Sequence, residues 1–251
     1  MNGKRVLVTA GGSGIGATLA RRFAAEGARV AICDRDETGF ANQPDILEVP
    51  ADVTDEAQMD AVFARIDDAF GGIDIVCANA GTGGPAGGID MIDYTAWRDC
   101  VSVNLDGAFL TCRGAAKRMK AQGSGVILIT SSTAGLFGYP NRSPYAAAKW
   151  GLIGLTKTLA IELGPFGIRV NALCPGSVEG DRMERVLANE AAARNIPIAQ
   201  LREGYVQGVS MKTWVTADHV ADTALFLASD AGQKISGQAM AVDGHTETLN
   251  A

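Results

Sequence analysis

Seven short apolar runs recur along the chain: KRVLVT at 4–9, ARVAICD at 28–34, DILEVPA at 45–51, DIVCANAG at 74–81, GVILITSS at 125–132, IRVNALCPG at 168–176 and GQAMAVDG at 237–244. Runs this short and continuous are the pattern of strands buried on both faces, with no solvent side to demand alternation. Between most of them apolar residues recur about every 3.6 positions, at 14–26, 54–70, 95–120 and 145–164, and each such stretch is predicted to be a helix with one buried face. Strand and helix alternating in this way predict an α/β chain, a doubly wound parallel sheet of about seven strands with helices on both faces. A further helix is expected in TADHVADTALFLAS, where Thr216 supplies the N-terminal signal. No linker, repeat or low-complexity stretch divides the chain, so residues 1–251 are expected to form one domain.

One region departs from the alternation. Residues 176–216 form the longest irregular stretch, polar, charged and broken by Gly180, Pro197 and Gly208. Within it, residues 180–214 are predicted to be a substrate lid: Met183, Val186, Leu187, Ile196, Ile198 and Leu201 would press a helix onto a pocket while the interspersed charges face water. Gly180 and Gly208 flank it as candidate hinges. A permanently docked helical insertion is the alternative.

Composition narrows the partners. A chain of 251 residues, 47% hydrophobic and 20% charged, can bury a large core. Its formal charge of -6 and lack of any Lys/Arg run argue against a nucleic-acid surface. The apolar run at 5–10 breaks at Gly11 and Gly12, too short for a signal peptide or a membrane span, so no membrane partner is expected. Five cysteines without C-x-x-C spacing are expected to be reduced, mostly buried thiols of a cytoplasmic protein. His219 and His245 stand far apart with no clustered ligands, and no metal site is expected.

Two features carry chemistry. The first strand ends at Thr9, glycines 11, 12, 14 and 16 follow, and a helix begins, so backbone N–H groups at a positive helix end can approach a pyrophosphate. The second strand ends about twenty residues on at Asp34, where a carboxylate would accept the ribose hydroxyls of NAD and repel the extra phosphate of NADP. A glycine-rich connecting turn and an exposed acidic cap are the plainer readings. In SPYAAAKWGLIGLTKTLAIE (143–162), Tyr145 and Lys149 stand one helical turn apart on one face, close enough for the ammonium to act on the phenol. A partly exposed helix pair is the plainer reading here.

The segments TAGGSGIG at 9–16, ADV at 51–53, ANAG at 78–81, VNLDGAF at 103–109, ITSSTAG at 129–135, YAAAK at 145–149 and CPGSVEG at 174–180 resemble, in order and spacing, the short-chain dehydrogenase/reductases. The resemblance spans Gly3 to Gly244 and implies a Rossmann fold and hydride transfer between a nicotinamide cofactor and an alcohol or ketone. It implies that Tyr145 is the general acid/base, that Lys149 stabilises its phenolate and holds the nicotinamide ribose, that Ser132 bonds the reacting oxygen, and that Asn104 seats a relay water. It places NAD against Gly11, Ser13, Gly14, Ile15, Gly16, Asp34, Asp52, Val53, Asn79, Tyr145, Lys149, Pro175, Gly176 and Val178. Relatives form dimers or tetramers through the helices at 95–120 and 145–164, so a homodimer or homotetramer is expected.

Departures from the family pattern are Ala10 for the first glycine of the cradle, Ala78 for an asparagine, and Gly180 for a threonine that holds the nicotinamide carboxamide, a contact left to the backbone near Val178. Arg35, directly after Asp34, introduces a charge that could receive an NADP phosphate. The substrate is expected to be a small polar or anionic alcohol or ketone, a polyol, sugar or hydroxy acid, met by Ser132, Tyr145, Arg142, Arg182 and Arg185. Two alternatives stay open. One is a 3-oxoacyl-acyl-carrier-protein reductase, although Gly123 and Phe166 replace the basic residues such enzymes carry for the acidic carrier. The other is a non-catalytic NAD-sensing module.

Overall fold

Each of the seven apolar runs forms a strand. The computed structural model describes residues 1–36 and 46–247, and within that span every side chain except those of residues 182, 189 and 192–194. The strands are β1 (Arg5–Thr9), β2 (Arg29–Asp34), β3 (Ile46–Pro50), β4 (Ile75–Ala78), β5 (Gly125–Thr130), β6 (Ile168–Pro175) and β7 (Ala239–Val242). All neighbours pair in parallel, in the order β3-β2-β1-β4-β5-β6-β7. The winding therefore starts at the centre, runs outward to β3, then returns to the other side of β1. Where it reverses, between β1 and β4, a crevice opens at the carboxyl ends of the strands.

Successive side chains of a strand point to opposite faces, and β1 divides the core accordingly. Leu7 joins Phe63, Ile66, Met119 and Leu152 on one face, under α2 (Glu56–Phe70), α4 (Gly107–Gln122) and α5 (Ser143–Leu163). Val6 and Val8 join Leu19, Phe23, Val220 and Leu227 on the other, under α1 (Gly14–Ala25) and α8 (Ala217–Ala228). Helix α8 begins as expected: the Thr216 hydroxyl accepts the His219 N–H, and the His219 ring accepts the Thr216 N–H. No helix of the described residues is long and apolar enough to cross a membrane.

Two expectations change in detail. The helix predicted over 95–120 is α3 (Tyr94–Val101) followed by a π-helical turn, Ser102–Asp106, and only then α4. The region expected to be irregular holds two helices, α6 (Asp181–Arg194) and α7 (Ile198–Gln207). Leu187, Ala191 and Leu201 form a small core of their own with Met183, Ile196, Tyr205 and Trp214. Ile198, expected to press inward, is exposed.

The turn after β1 is the tightest part of the crevice. Ala10 adopts φ +50, a left-handed conformation that a Cβ disfavours. A Cβ at Gly16 would stand 2.0 Å from the Ala10 carbonyl oxygen, which as backbone cannot turn aside. Gly16→Ala should therefore lower the melting midpoint by an amount equivalent to about 1–3 kcal/mol, whereas Ala10→Gly should raise stability by about 0.5–1 kcal/mol; thermal unfolding of the two variants checks both signs.

Candidate active site

A cleft of about 1340 Å³ follows the crevice, from Asp34 and Asp52 beyond β2 and β3 to Tyr139, Arg142 and Arg185 beyond β5 and β6. Ser13 lines it at the start of α1 and makes no side-chain capping bond. The Asp34 carboxylate also lines it, and Oδ2 accepts the Gly12 N–H at 2.9 Å, which ties the acid to the glycine turn. Arg35 also lines the cleft, and its Nε lies 3.7 Å from the exposed Asp36 carboxylate. The Asp52 carboxylate accepts the N–H and hydroxyl of Thr54, at 2.9 and 2.7 Å, and Val53 is buried against Gly107. Asp52 thus closes the turn before α2, while Asp55 caps the helix.

Beneath the glycine turn, Asn79 fastens three strand ends together. Its side-chain Nδ2 donates to the Thr9 carbonyl, its Oδ1 accepts the Thr130 hydroxyl, and its backbone N–H donates to the Thr9 hydroxyl. Ile15 packs into the core below α1. Pro175 ends β6, and the Gly176 N–H donates to Val242. The Val215 N–H donates to Ser177 and the Glu179 N–H to Val215, at 3.0 and 2.9 Å. In such a parallel bridge the residue between, Val178, turns its own N–H and C=O the other way.

The four expected catalytic residues come from β5, its following turn, the π turn and α5. Lys149 is 3% exposed, and its Nζ donates to the Thr130 carbonyl at 2.8 Å and stands 5.5 Å from the centre of the Tyr145 ring. Ser132 begins a short 3-10 turn, and because its Oγ accepts the Ala134 N–H, the hydroxyl proton is left to donate elsewhere. Asn104 is fully buried in the π turn. Its Nδ2 donates to the Cys100 and Thr82 carbonyls at 2.8 and 2.9 Å, while its Oδ1 has no hydrogen-bond partner among the described residues. Gly81 lines the cleft, and a Cβ there would lie 2.7 Å from Asn104 Oδ1 and 3.4 Å from Lys149 Nζ, so only a glycine leaves both groups within reach of the cleft. Tyr139, on the cleft wall, meets Tyr145 edge-on at 6.4 Å between ring centres.

A family model described as enoyl-(acyl carrier protein) reductase matches residues 9–245. The chain belongs to the short-chain dehydrogenase/reductase family. Among its relatives in that family, D-beta-hydroxybutyrate dehydrogenase of Rhizobium meliloti (strain 1021) is 34% identical over 252 residues, covering 96% of this chain and 97% of the relative. Among solved structures, levodione reductase superposes with a TM-score of 0.92 at 33% identity over 97% of each chain. A variant actinorhodin polyketide ketoreductase with NADPH gives 0.91 at 30% identity over 97% of this chain and 98% of that one. The chain is accordingly an oxidoreductase acting on hydroxyl or keto groups. Its residues fit the family's nicotinamide cofactor: a glycine turn that a Cβ at Gly16 would block, a helix N-terminus at Ser13, and a carboxylate at Asp34 all face one cleft.

Several members of the site were not singled out by sequence. The loop GTGGPAGG at 81–88 forms much of the cleft wall, and its glycine content directly after ANAG was the signal available. The Thr82 carbonyl that holds Asn104, and Glu190 on the cleft wall, carried no signal of their own. Arg142 and Arg185 line the cleft as expected, whereas Arg182 lies in α6 with its side chain outside the described residues. All five cysteines are buried and outside any disulfide, and burial pushes Cys33, Cys77 and Cys112 up to about 12 and Cys174 up to about 11, so these four are neutral thiols at physiological pH. Asn104→Ala should cost about 1–3 kcal/mol, because the Cys100 and Thr82 carbonyls lose a buried donor, and should lower turnover as well; paired melting and steady-state measurements check it.

Proposed function

We propose that this short-chain dehydrogenase/reductase is an NAD-dependent dehydrogenase of secondary alcohols, with hydroxy acids, sugars and polyols as the favoured substrate classes. The observation that carries the cofactor reading is the Asp34 carboxylate, anchored on the Gly12 N–H and facing the cleft. Its remaining lone pairs suit a ribose diol, and a 2′-phosphate in their place would set like charge against like charge. The relative named for hydroxybutyrate supports a hydroxy acid among the three classes.

The residues divide the chemistry among them. A bound nicotinamide would supply the hydride acceptor. Tyr145 would take the hydroxyl proton of the alcohol as the carbinol C–H bond breaks and the C=O bond forms. Ser132 directs its free hydroxyl proton at the substrate oxygen. The buried Lys149 ammonium, 5.5 Å from the Tyr145 ring centre, favours the phenolate that must receive the proton. Asn104 Oδ1, a buried acceptor without a protein donor, suits a water that carries the proton onward. The backbone of Val178 suits the nicotinamide carboxamide, in place of the family threonine. Exposed Phe109, Trp150 and Ile161 on α4 and α5 support a homodimer or homotetramer, which light scattering would count.

The acyl-carrier alternative has less behind it, because Gly123 and Phe166 offer the carrier no charge. An NADH-formation screen across alcohols, with the reverse reaction on an acetoacetyl thioester, separates the two. Wild type should use NAD better than NADP, and Asp34→Ala should narrow or invert the preference in steady-state assays with both cofactors. Tyr145→Phe should leave NADH affinity within a few-fold and lower kcat at least about a hundredfold, the lower range for a lost general acid–base group; binding and turnover of the same variant check the two halves together.

A further inference from the structure

The cleft ends, beyond β5 and β6, against two arginines. Arg142 is half-buried in the corner before α5, three residues ahead of Tyr145, and Arg185 stands on α6. Neither guanidinium makes a hydrogen bond or ion pair among the described residues. Elsewhere arginines near acids are engaged: Arg5 with Asp74, Arg22 with Asp218 and Asp222, Arg113 with Glu56, Arg118 with Asp67, Arg202 with Glu184. Two guanidinium forks directed at one cleft and left unmatched there are suited to a planar or tetrahedral oxyanion.

The surroundings hold the arginines in that role. The Gly87 N–H donates to the Asn141 carbonyl at 2.9 Å, and Asn141 adopts φ +58, so the corner that presents Arg142 is strapped to the 81–88 loop. On α6, Leu187 is buried in the small core below the helix while Val186 and Glu190 face the cleft beside Arg185. Of the acids on that helix, Asp181 stands one turn before Arg185 and Glu190 shares its cleft wall, yet neither pairs with it among the described residues; Glu190 Oε2 accepts the Tyr205 hydroxyl at 2.8 Å. Burial, reinforced by neighbouring Tyr139 and Glu190, pushes the Tyr205 phenol well above its ordinary range, so it remains a neutral donor to that carboxylate. Asp99, the other acid on this part of the wall, is exposed on α3 and pairs with neither arginine. The N-terminus of the 21-residue α5 adds its positive end at the same corner.

Resting on the dehydrogenase reading above, we propose that Arg142 and Arg185 form an anion subsite, and that the substrate is a short hydroxy acid whose carboxylate or sulfonate lies a few bonds from the carbinol carbon. The short spacer follows from position: Arg142 is the N-cap residue of α5 and Tyr145 lies in the first turn of the same helix, so the two side chains leave the chain within one turn of each other. A neutral sugar or polyol would leave both guanidinium forks on the cleft wall without an ion-pair partner.

The test uses the abortive complex with NADH, in which an alcohol binds but cannot react. NADH fluorescence of the full chain is titrated with 3-hydroxybutyrate, with 3-hydroxybutane-1-sulfonate, and with methyl 3-hydroxybutyrate as the neutral match, each as separate enantiomers. At least one of the two anions should half-saturate at a concentration tenfold or more below the ester, and which anion does so distinguishes carboxylate from sulfonate. Arg142→Met and Arg185→Met should each bring that anion to within threefold of the ester, and Arg142→Lys, which keeps the charge without the fork, should recover only part of the preference. Circular-dichroism melts establish that the variants are folded, and Arg185, being exposed, provides a variant whose folding does not depend on packing. Equal binding of ester and anions, saturation by none of them, or a preference that survives both methionine variants would overturn the proposal. Failure of NADH itself to bind wild type is a different readout, and it would overturn the dehydrogenase reading beneath.

Discussion

An ammonium buried to 3% exposure organises this site. Such a charge costs several kcal/mol unless its surroundings replace water, and Lys149 is supplied on every level. Its Nζ reaches the Thr130 carbonyl at the end of β5, and the Tyr145 ring face lies one turn back on its own helix. Its backbone is gripped as well, because the Ser131 hydroxyl donates to the Lys149 carbonyl at 2.9 Å. Helix α5 is therefore fixed on β5 at its buried ammonium. The positions of Tyr145, four residues earlier, and Ser132, next to Ser131, follow from that one attachment.

How much of this was legible from the chain depends on whether the controlling feature is periodic. The strands, α1, α5 and α8 were readable because continuous apolar runs, capping residues and 3.6-residue spacing are written directly in the residue order. The π turn was not. A single step of widened hydrogen-bond register leaves the apolar spacing of 95–120 nearly intact, so the sequence reads as one helix although Asn104 divides it. The wall formed by residues 81–88 was written only in its glycines, which state that a chain can bend and not what it bends around. In α6 the apolar spacing of Met183 and Leu187 was legible as a helix face, but not that with Ala191 and Leu201 it closes a small core of its own.

Charge along the cleft shows a similar limit. In sequence, Arg35 beside Asp34 is ambiguous, since adjacent residues of opposite sign admit either cofactor. In space both charges stay on the cleft wall: the Asp34 carboxylate is held on the glycine turn, while Arg35 lies 3.7 Å from Asp36 in an exposed pair worth little energy. The cleft thus carries Asp34, Asp36 and Asp52 with Arg35 beyond β2 and β3, and Arg142 and Arg185 with Asp99 and Glu190 at its other end. Which of these charges share the cleft is set by the strand ends and helices they follow, and so by the winding order of the sheet.

The winding order also explains why a departure from the family pattern at Ala78 is harmless. Cradle and catalytic groups stand on opposite sides of the point where the sheet reverses, and something must hold β1, β4 and β5 in register across it. That work falls to Asn79, whose amide joins the Thr9 carbonyl to the Thr130 hydroxyl, with the Thr9 hydroxyl receiving the N–H groups of Asn79 and Ala80. Ala78 is buried at the end of β4 and packs in the core below the cradle, where an asparagine side chain would need partners of its own. The carbonyl of Thr130, next along this brace, is the one that holds Lys149. One chain of contacts therefore runs from the glycine turn through Asn79 to the buried ammonium, so the distance between cofactor cradle and proton-transfer group is held by backbone and short side chains, with no long flexible one between.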